Sequence, residues 1–436
     1  MRNRILSAVL GVFALAGCGR QGAHAAVKSA LESLQFIKKR QDPSHYVLDL
    51  ASYAPFSVCG DDDKQPVNKY DGTLGQTKAF VRFHKFPTGA LSSQQRRKFC
   101  NGALVSPDLF LTASHCVDSR TMNGLVIFNY EEGSNPDDVH EEDAYGISEV
   151  VEQGVANDYA LLRVDSEPGL KWGWSSVKNN TVSEHELITI IQHPGGRQKE
   201  VEVGYVDYLD SYFMNYGDVD TELGSSGSPI RDAKGNIVGI HTNGGCLVEG
   251  GVNSGARLDV ITDSPLMDQL IGQTLPFASG DIIELSIGPA ASRLVLGVRD
   301  SDGRIVLVDS ATALSKGYNT KWQAVLNAEG SYSLLLSGDS TRSLGAKPDR
   351  GEVATIDPAW DRLGAMWNVK RYEESFVVLR ATGANDGPSW LAGDTTHAVV
   401  GLQDRAVSWN VKVITQTNIQ KKLSRQFFDV SGDMGI

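Results

Sequence analysis

The chain has 436 residues, with 53 acidic and 41 basic side chains, a formal net charge of −12 and 41% hydrophobic residues. That length exceeds what one hydrophobic core usually organises, so two domains are expected. The acidic balance argues against nucleic acid as a partner, because phosphate binding needs a basic face, and no apolar run approaches the roughly 18 residues of a membrane span.

At the N-terminus Arg2 and Arg4 precede an apolar run, Ile5 to Ala16. It is long enough for a signal-peptide core and too short to cross a bilayer. It ends in Leu15-Ala16-Gly17-Cys18, which resembles the bacterial lipoprotein box. Residues 1–18 are therefore expected to be a signal peptide, with Cys18 lipidated. Ala23-His24-Ala25 offers a second cleavage site of the A-x-A kind. Either way the protein is expected to be exported, to the bacterial outer membrane, periplasm or cell surface, or into the medium. It would meet a membrane only through the lipid anchor. Beyond Cys18, four cysteines remain: Cys59, Cys100, Cys116 and Cys246. An even number in an oxidising compartment suggests two disulfides, with three connectivities open. Their scattered spacing fits no zinc site.

Residues 19–69 read as a stalk or pro-segment, helical in periodicity at first and then polar and turn-rich from Gly60 to Gln76. Strand-like runs follow: AFVRF (79–83), GALVSPDLFLTA (102–113), YALLRV (159–164), ELITIIQH (186–193), VEVGYVDYL (201–209) and NIVGIHT (236–242). With no long amphipathic helix between them, residues 70–275 are expected to form an all-β domain.

Three segments of this domain gain meaning together. His115 follows the apolar FLTAS and precedes Cys116, Asp158 heads YALLRV, and Ser226 sits in the turn GSSGSP (224–229), whose glycines allow tight geometry. Chain order His, Asp, Ser, each in such a context, resembles the trypsin-like (chymotrypsin-fold) serine peptidases over about 200 residues. The run FCNGALVSPDLFLTASHC (99–116) is the most specific part of the likeness. The resemblance implies a double β-barrel and peptide-bond hydrolysis without metal or cofactor. Ser226 would be the nucleophile, His115 its base and Asp158 the group that orients His115. It also implies an oxyanion hole from the N–H groups of Gly224 and Ser226, and a Cys100–Cys116 disulfide stapling the histidine loop. Cys59 and Cys246 are left as a second pair or as two free thiols.

Ser225 stands where trypsin-type zymogens carry Asp, so the family's N-terminal activation switch is absent. The turn resembles that of bacterial glutamyl and lysyl endopeptidases. Thr221 and His241 fall where glutamyl endopeptidases bind the substrate carboxylate, which implies an acidic or mixed preference. For a basic side chain only Glu249 and Asp259 offer themselves, by proximity in sequence. His193, in QHPGG, reads as a loop or pocket-rim residue.

Residues 277–415 carry a repeat. Trp322, Trp367 and Trp409 are separated by 45 and 42 residues, and each unit has a strand ending near an Asp, at Asp309, Asp357 and Asp404. Three such units resemble a β-trefoil of the ricin-B type, which implies a glycan or protein ligand. The Gln that type carries two residues before each Trp is replaced by Thr320, Ala365 and Val407. Residues 416–436 are a tail. Together these features predict an exported serine endopeptidase acting on protein or peptide substrates. The competing reading is an inactive homologue that serves as a surface binding or adhesion lipoprotein.

Overall fold

The computed structural model describes residues 57–133, 143–179, 182–246, 251–262, 264–347, 350–373, 375–381, 390–395 and 398–415. The expected signal segment, Cys18, Glu249 and the 416–436 tail lie outside these residues. The described chain opens with a two-residue strand, β1 (Gln65–Pro66), and a helix, α1 (Lys78–His84). AFVRF, expected as a strand, lies in this helix. Thr77 decides it, since its hydroxyl accepts the Phe80 N–H as an N-cap. Phe80, Val81 and Phe83 are then buried on the helix, a spacing that a five-residue run shares with a strand.

Six strands follow: β2 (Thr88–Ser92), β3 (Lys98–Leu104), β4 (Leu109–Thr112), β5 (Leu125–Phe128), β6 (Asp143–Gly154) and β7 (Tyr159–Val164). They close a barrel in the order β2-β3-β4-β7-β6-β5. After a short helix, α2 (Gly169–Trp172), come β8 (Leu187–Gln192), β9 (Glu200–Tyr205), β10 (Tyr208–Leu209), β11 (Phe213–Tyr216), β12 (Pro229–Arg231), β13 (Ile237–Asn243) and β14 (Asn253–Arg257). With β1 they form a half-barrel ordered β1-β9-β8-β12-β13-β14-β11-β10. A closed barrel followed by a half-barrel is the all-β arrangement expected of a double barrel. The Gly60–Gln76 stretch is no free linker, because Gln65 and Pro66 pair with Val201 and Glu200 of β9. The boundary expected at residue 70 thus falls after chain that is already part of the sheet.

Helix α3 (Pro265–Ile271) ends this part. The rest is strand: β15 (Ile282–Ile287), β16 (Leu294–Arg299), β17 (Ile305–Asp309), β18 (Tyr318–Asn319), β19 (Trp322–Leu326), β20 (Tyr332–Leu336), β21 (Asp339–Lys347), β22 (Glu352–Ile356), β23 (Met366–Glu373), β24 (Phe376–Ala381), β25 (Trp390–Asp394), β26 (Val399–Gln403) and β27 (Trp409–Thr415). Successive antiparallel pairings run β15-β19-β20-β23-β24-β27 and return to β15, so six strands form a ring. Between them stand three hairpins, β16–β17, β21–β22 and β25–β26. Trp322 and Trp409 head β19 and β27, Trp367 is the second residue of β23, and the three share one buried core. Their indole N–H groups donate to the carbonyls of Leu296, Leu344 and Leu391, one in the first strand of each hairpin. The three tryptophans therefore perform one task in three copies. Asp309 and Asp357 are turn formers, accepting the N–H groups of Ala311 and Ala359.

This part is packed firmly on the barrels. Val378 and Trp390 belong to the same core as Trp172 and Trp174, and Trp390 Nε1 donates to Lys171 O at 2.9 Å.

Candidate functional site

His115 lies on a single 3₁₀ turn, Ser114–Cys116, directly after β4. The Cys100–Cys116 disulfide ties that turn to β3, and Gln153 Nε2 donates to Ser114 O and Oγ from β6. Asp158 stands in the turn between β6 and β7 with φ +48°, a conformation that Asp tolerates better than most residues. Its two carboxylate oxygens hold His115 twice: Oδ1 accepts the backbone N–H at 3.0 Å and Oδ2 the ring Nδ1–H at 2.8 Å. A carboxylate can only accept, so the neutral ring carries its proton on Nδ1 and keeps the Nε2 lone pair for a substrate-side proton. The His115 side chain is 45% exposed and Asp158 20%, so the pair opens to solvent on the ring side.

Ser226 sits in the turn between β11 and β12. Gly224 (φ +98°) and Gly227 (φ +85°) take conformations that favour glycine, and a Cβ at 227 would come within 2.2 Å of Asn101 O. Asn101, fully buried on β3, is the clamp. Its N–H donates to Ser226 O at 2.7 Å and its Nδ2 to Gly224 O at 2.6 Å, while its Oδ1 accepts the His193 N–H at 2.9 Å. One side chain next to the Cys100 staple thus joins the His115 loop, the Ser226 turn and the 193–196 loop. Ser225, in place of an Asp, is buried and spends its hydroxyl locally, accepting the Glu222 N–H at 3.0 Å. The turn is closed without any ion pair from residue 225.

The same bonds orient the two expected oxyanion donors. In a trans peptide the N–H points away from the carbonyl it is joined to. Leu223 O accepts the Gly195 N–H at 3.0 Å, which turns the Gly224 N–H to the opposite side. Ser225 O accepts Ser228 Oγ at 2.6 Å and Ser228 N–H at 3.1 Å, which does the same for the Ser226 N–H. Neither N–H has a protein acceptor among the described residues. His193 is buried, its ring Nδ1 lies 3.0 Å from Arg197 O, and burial pushes its pKa down to about 3. It supports the loop as a neutral ring whose Nδ1–H donates to the Arg197 carbonyl.

Replacing Asn101 with alanine should strand the Gly224 carbonyl and the His193 N–H. Since a misplacement of about 1 Å can cost 10²-fold in rate, kcat on a peptide substrate is expected to fall about 100-fold. Urea unfolding should register a loss of about 1–3 kcal/mol from the unsatisfied groups. Unchanged kcat would remove Asn101 from the positioning of the turn.

His241 on β13 is stitched to the turn by Gly227 N–H to His241 O at 2.8 Å and His241 N–H to Ser228 O at 2.9 Å. Its Nδ1 lies 2.7 Å from Tyr216 Oη. Burial first, and then the charge of His115, pushes its pKa down to about 3, so it is a neutral hydrogen-bonding group. Thr221 is fully buried, and its hydroxyl has no partner among the described residues.

Asp220 escaped the sequence, whereas a Cys59–Cys246 pair tying the N-terminal segment to the site is one of the two expectations. Asp220, next to Thr221, is buried at the same place, and its carboxylate accepts N–H groups from Cys59 at 2.6 Å and Asp63 at 3.3 Å. Ser57 O accepts the Thr221 N–H and Asn253 Nδ2, so chain from before the expected domain start walls the region. The Cys59–Cys246 disulfide pins that wall. Asp259, the other acidic candidate, is spent on Arg257 at 2.6 and 2.9 Å.

Residues 100–240 match the family model of the trypsin-like peptidase domain. The span takes in His115, Asp158 and Ser226. A glutamyl endopeptidase of Staphylococcus epidermidis is 28% identical over 153 residues, 33% of this chain and 54% of that protein. A glutamyl endopeptidase of Staphylococcus aureus is 25% identical over the same length, 33% of this chain and 46% of its own. The chain thus spans about half the length of the curated relatives it matches. A solved Glu endopeptidase in complex with MPD aligns with 49% of this chain and 97% of its own, at 24% identity and a TM-score of 0.36. The trypsin-like domain and these relatives support a serine peptidase.

Proposed function

We propose that the protein is an exported serine endopeptidase using Ser226, His115 and Asp158 through an acyl-enzyme. The observation that carries this reading is the double grip of Asp158 on His115, which fixes the ring with Nδ1 against the carboxylate and leaves Nε2 on the open side. In the proposed reaction His115 Nε2 takes the Ser226 hydroxyl proton as Oγ attacks the peptide carbonyl. The oxyanion forms against the N–H groups of Gly224 and Ser226. His115 then gives the proton to the leaving amine, and water, activated the same way, releases the acyl group. Two disulfides, Cys59–Cys246 and Cys100–Cys116, fit an oxidising compartment and so favour export, with Cys18 as the proposed lipid anchor.

For the pocket we propose a preference for acidic side chains. The unpartnered Thr221 hydroxyl and neutral His241 favour it, whereas the Asp220 carboxylate is already engaged by the 59–63 segment. The C-terminal part is proposed to be a β-trefoil that docks the enzyme on a glycan or protein. Its six-stranded ring, three hairpins and threefold tryptophan bonds support that architecture.

Treating the full protein with a fluorophosphonate and a mixed peptide library tests both halves. Labelling of Ser226 with cleavage after Glu or Asp is expected. No label and no cleavage would favour the inactive binding lipoprotein, and cleavage after Lys or Arg would overturn the pocket assignment alone.

A further inference from the structure

A cleft of about 480 Å³ runs along the seam between the barrels and the C-terminal part. Its charged lining is entirely basic: Lys178 and Lys234 from the barrel side, Lys370 and Arg371 from β23, with the buried His84 beside them. Behind the wall stand two buried guanidiniums. Arg231 donates to Ser175 Oγ and Gly235 O, both cleft residues, and leaves Nε without a partner. Arg380 donates to Trp172 O and leaves Nε and Nη2 without partners.

These groups act on one another. Burial, then Arg231, Lys178 and Arg380, pushes Lys370 down to about 7, and burial, then Arg231, Lys370 and Arg380, pushes His84 well below its usual range. The carboxylates nearby are committed elsewhere. Glu131 is held by Lys85 at 2.5 Å and Lys199 at 2.9 Å, and Glu329 by Arg362. Asp232 accepts the N–H groups of Lys234 and Asn236 within its own turn. The Lys370 ammonium donates to the neutral Ser176 hydroxyl at 2.8 Å. Concentrating cations in a buried seam is costly where Asp232 offsets Arg231, and Glu131 offsets Arg380, only in part, and orphaned buried donors call for an acceptor. In a chain of net charge −12 the concentration is a local one.

We propose that the cleft is a binding site for an oxyanion, a phosphate or sulfate group either free or as an ester of a larger molecule. Three lysines lining one space suit such a ligand, with Arg371 beside them donating to the carbonyls of Thr274 and Glu373. Because Lys178 and Lys234 come from one part and Lys370 and Arg371 from the other, the anion would bridge the seam and strengthen the docking of the C-terminal part. The site is separate from His115 and Ser226 and does not rest on the peptidase reading.

Calorimetric titration of the full protein with inorganic sulfate and phosphate, against chloride at equal ionic strength, tests it. Saturable binding of the oxyanions, and none of chloride, is expected. A Lys178→Met/Lys370→Met pair should weaken it at least tenfold. In anion-free buffer that variant should melt no lower than the parent, since it removes repulsion. The exposed Lys234→Ala, which leaves the buried seam intact, should weaken binding several-fold. A glucose phosphate titrated in parallel separates the sources, and tighter binding than free phosphate assigns an ester. No saturable oxyanion heat, or equal heats in parent and both variants, would overturn the proposal.

Discussion

Alanine at Ser226 is expected to lower kcat by about 10⁶-fold. Losses of that order follow when the nucleophile of a serine triad is removed, and what remains comes from oxyanion donors and binding. The turn should not move. Its geometry rests on Asn101, the glycines and the backbone of residue 226, whose carbonyl bonds survive the change. The check is paired: turnover against a cleaved peptide, and affinity for the same peptide by calorimetry. Affinity within a few-fold of the parent together with the lost turnover assigns Ser226 to chemistry. Retained turnover would move the nucleophile elsewhere and end the proposed mechanism.

Asparagine at Asp158 is expected to cost about 10⁴-fold in kcat. The Asn carbonyl can still accept the His115 backbone N–H, but its amide cannot accept the ring Nδ1–H as a carboxylate oxygen does. The ring proton is then favoured on Nε2, the atom that must receive the serine proton. The loss should therefore fall on kcat, with little change in KM. Nitrogen-15 chemical shifts of the His115 ring read the tautomer directly. A variant that keeps Nε2 unprotonated and yet loses 10⁴ in rate would show that Asp158 acts otherwise than by orienting His115.

The candidate triad was legible as a resemblance carried by short strings. His115 beside Cys116, Asp158 at the head of a strand and Ser226 between glycines each keep their neighbours because the local backbone demands them. The tryptophan spacing was legible for a similar reason, since three copies of one hydrogen bond require three copies of one sequence position. The misses share a cause as well. AFVRF is too short for its period to separate helix from strand, and a single hydroxyl at Thr77 settles the matter. Asn101 looked like an ordinary strand residue, because its partners Gly224 and His193 are remote in sequence. Ser57 to Lys64 looked like linker because polar, turn-rich chain is also what lines the back of a pocket. The seam was the least visible of all. Lys178, Arg231, Lys370 and Arg380 are remote in sequence and come together only where the two parts are docked.

The disulfide between Cys59 and Cys246 encloses a stretch of chain with consequences for the protein's survival among proteases. His115, Asp158 and Ser226 all fall inside the loop it closes, with a sequence separation of 187. A single nick anywhere within that loop leaves both fragments joined by the sulfur bridge. A nicked molecule would run as one species until a reductant is added, and its three reactive groups would stay on one covalent body.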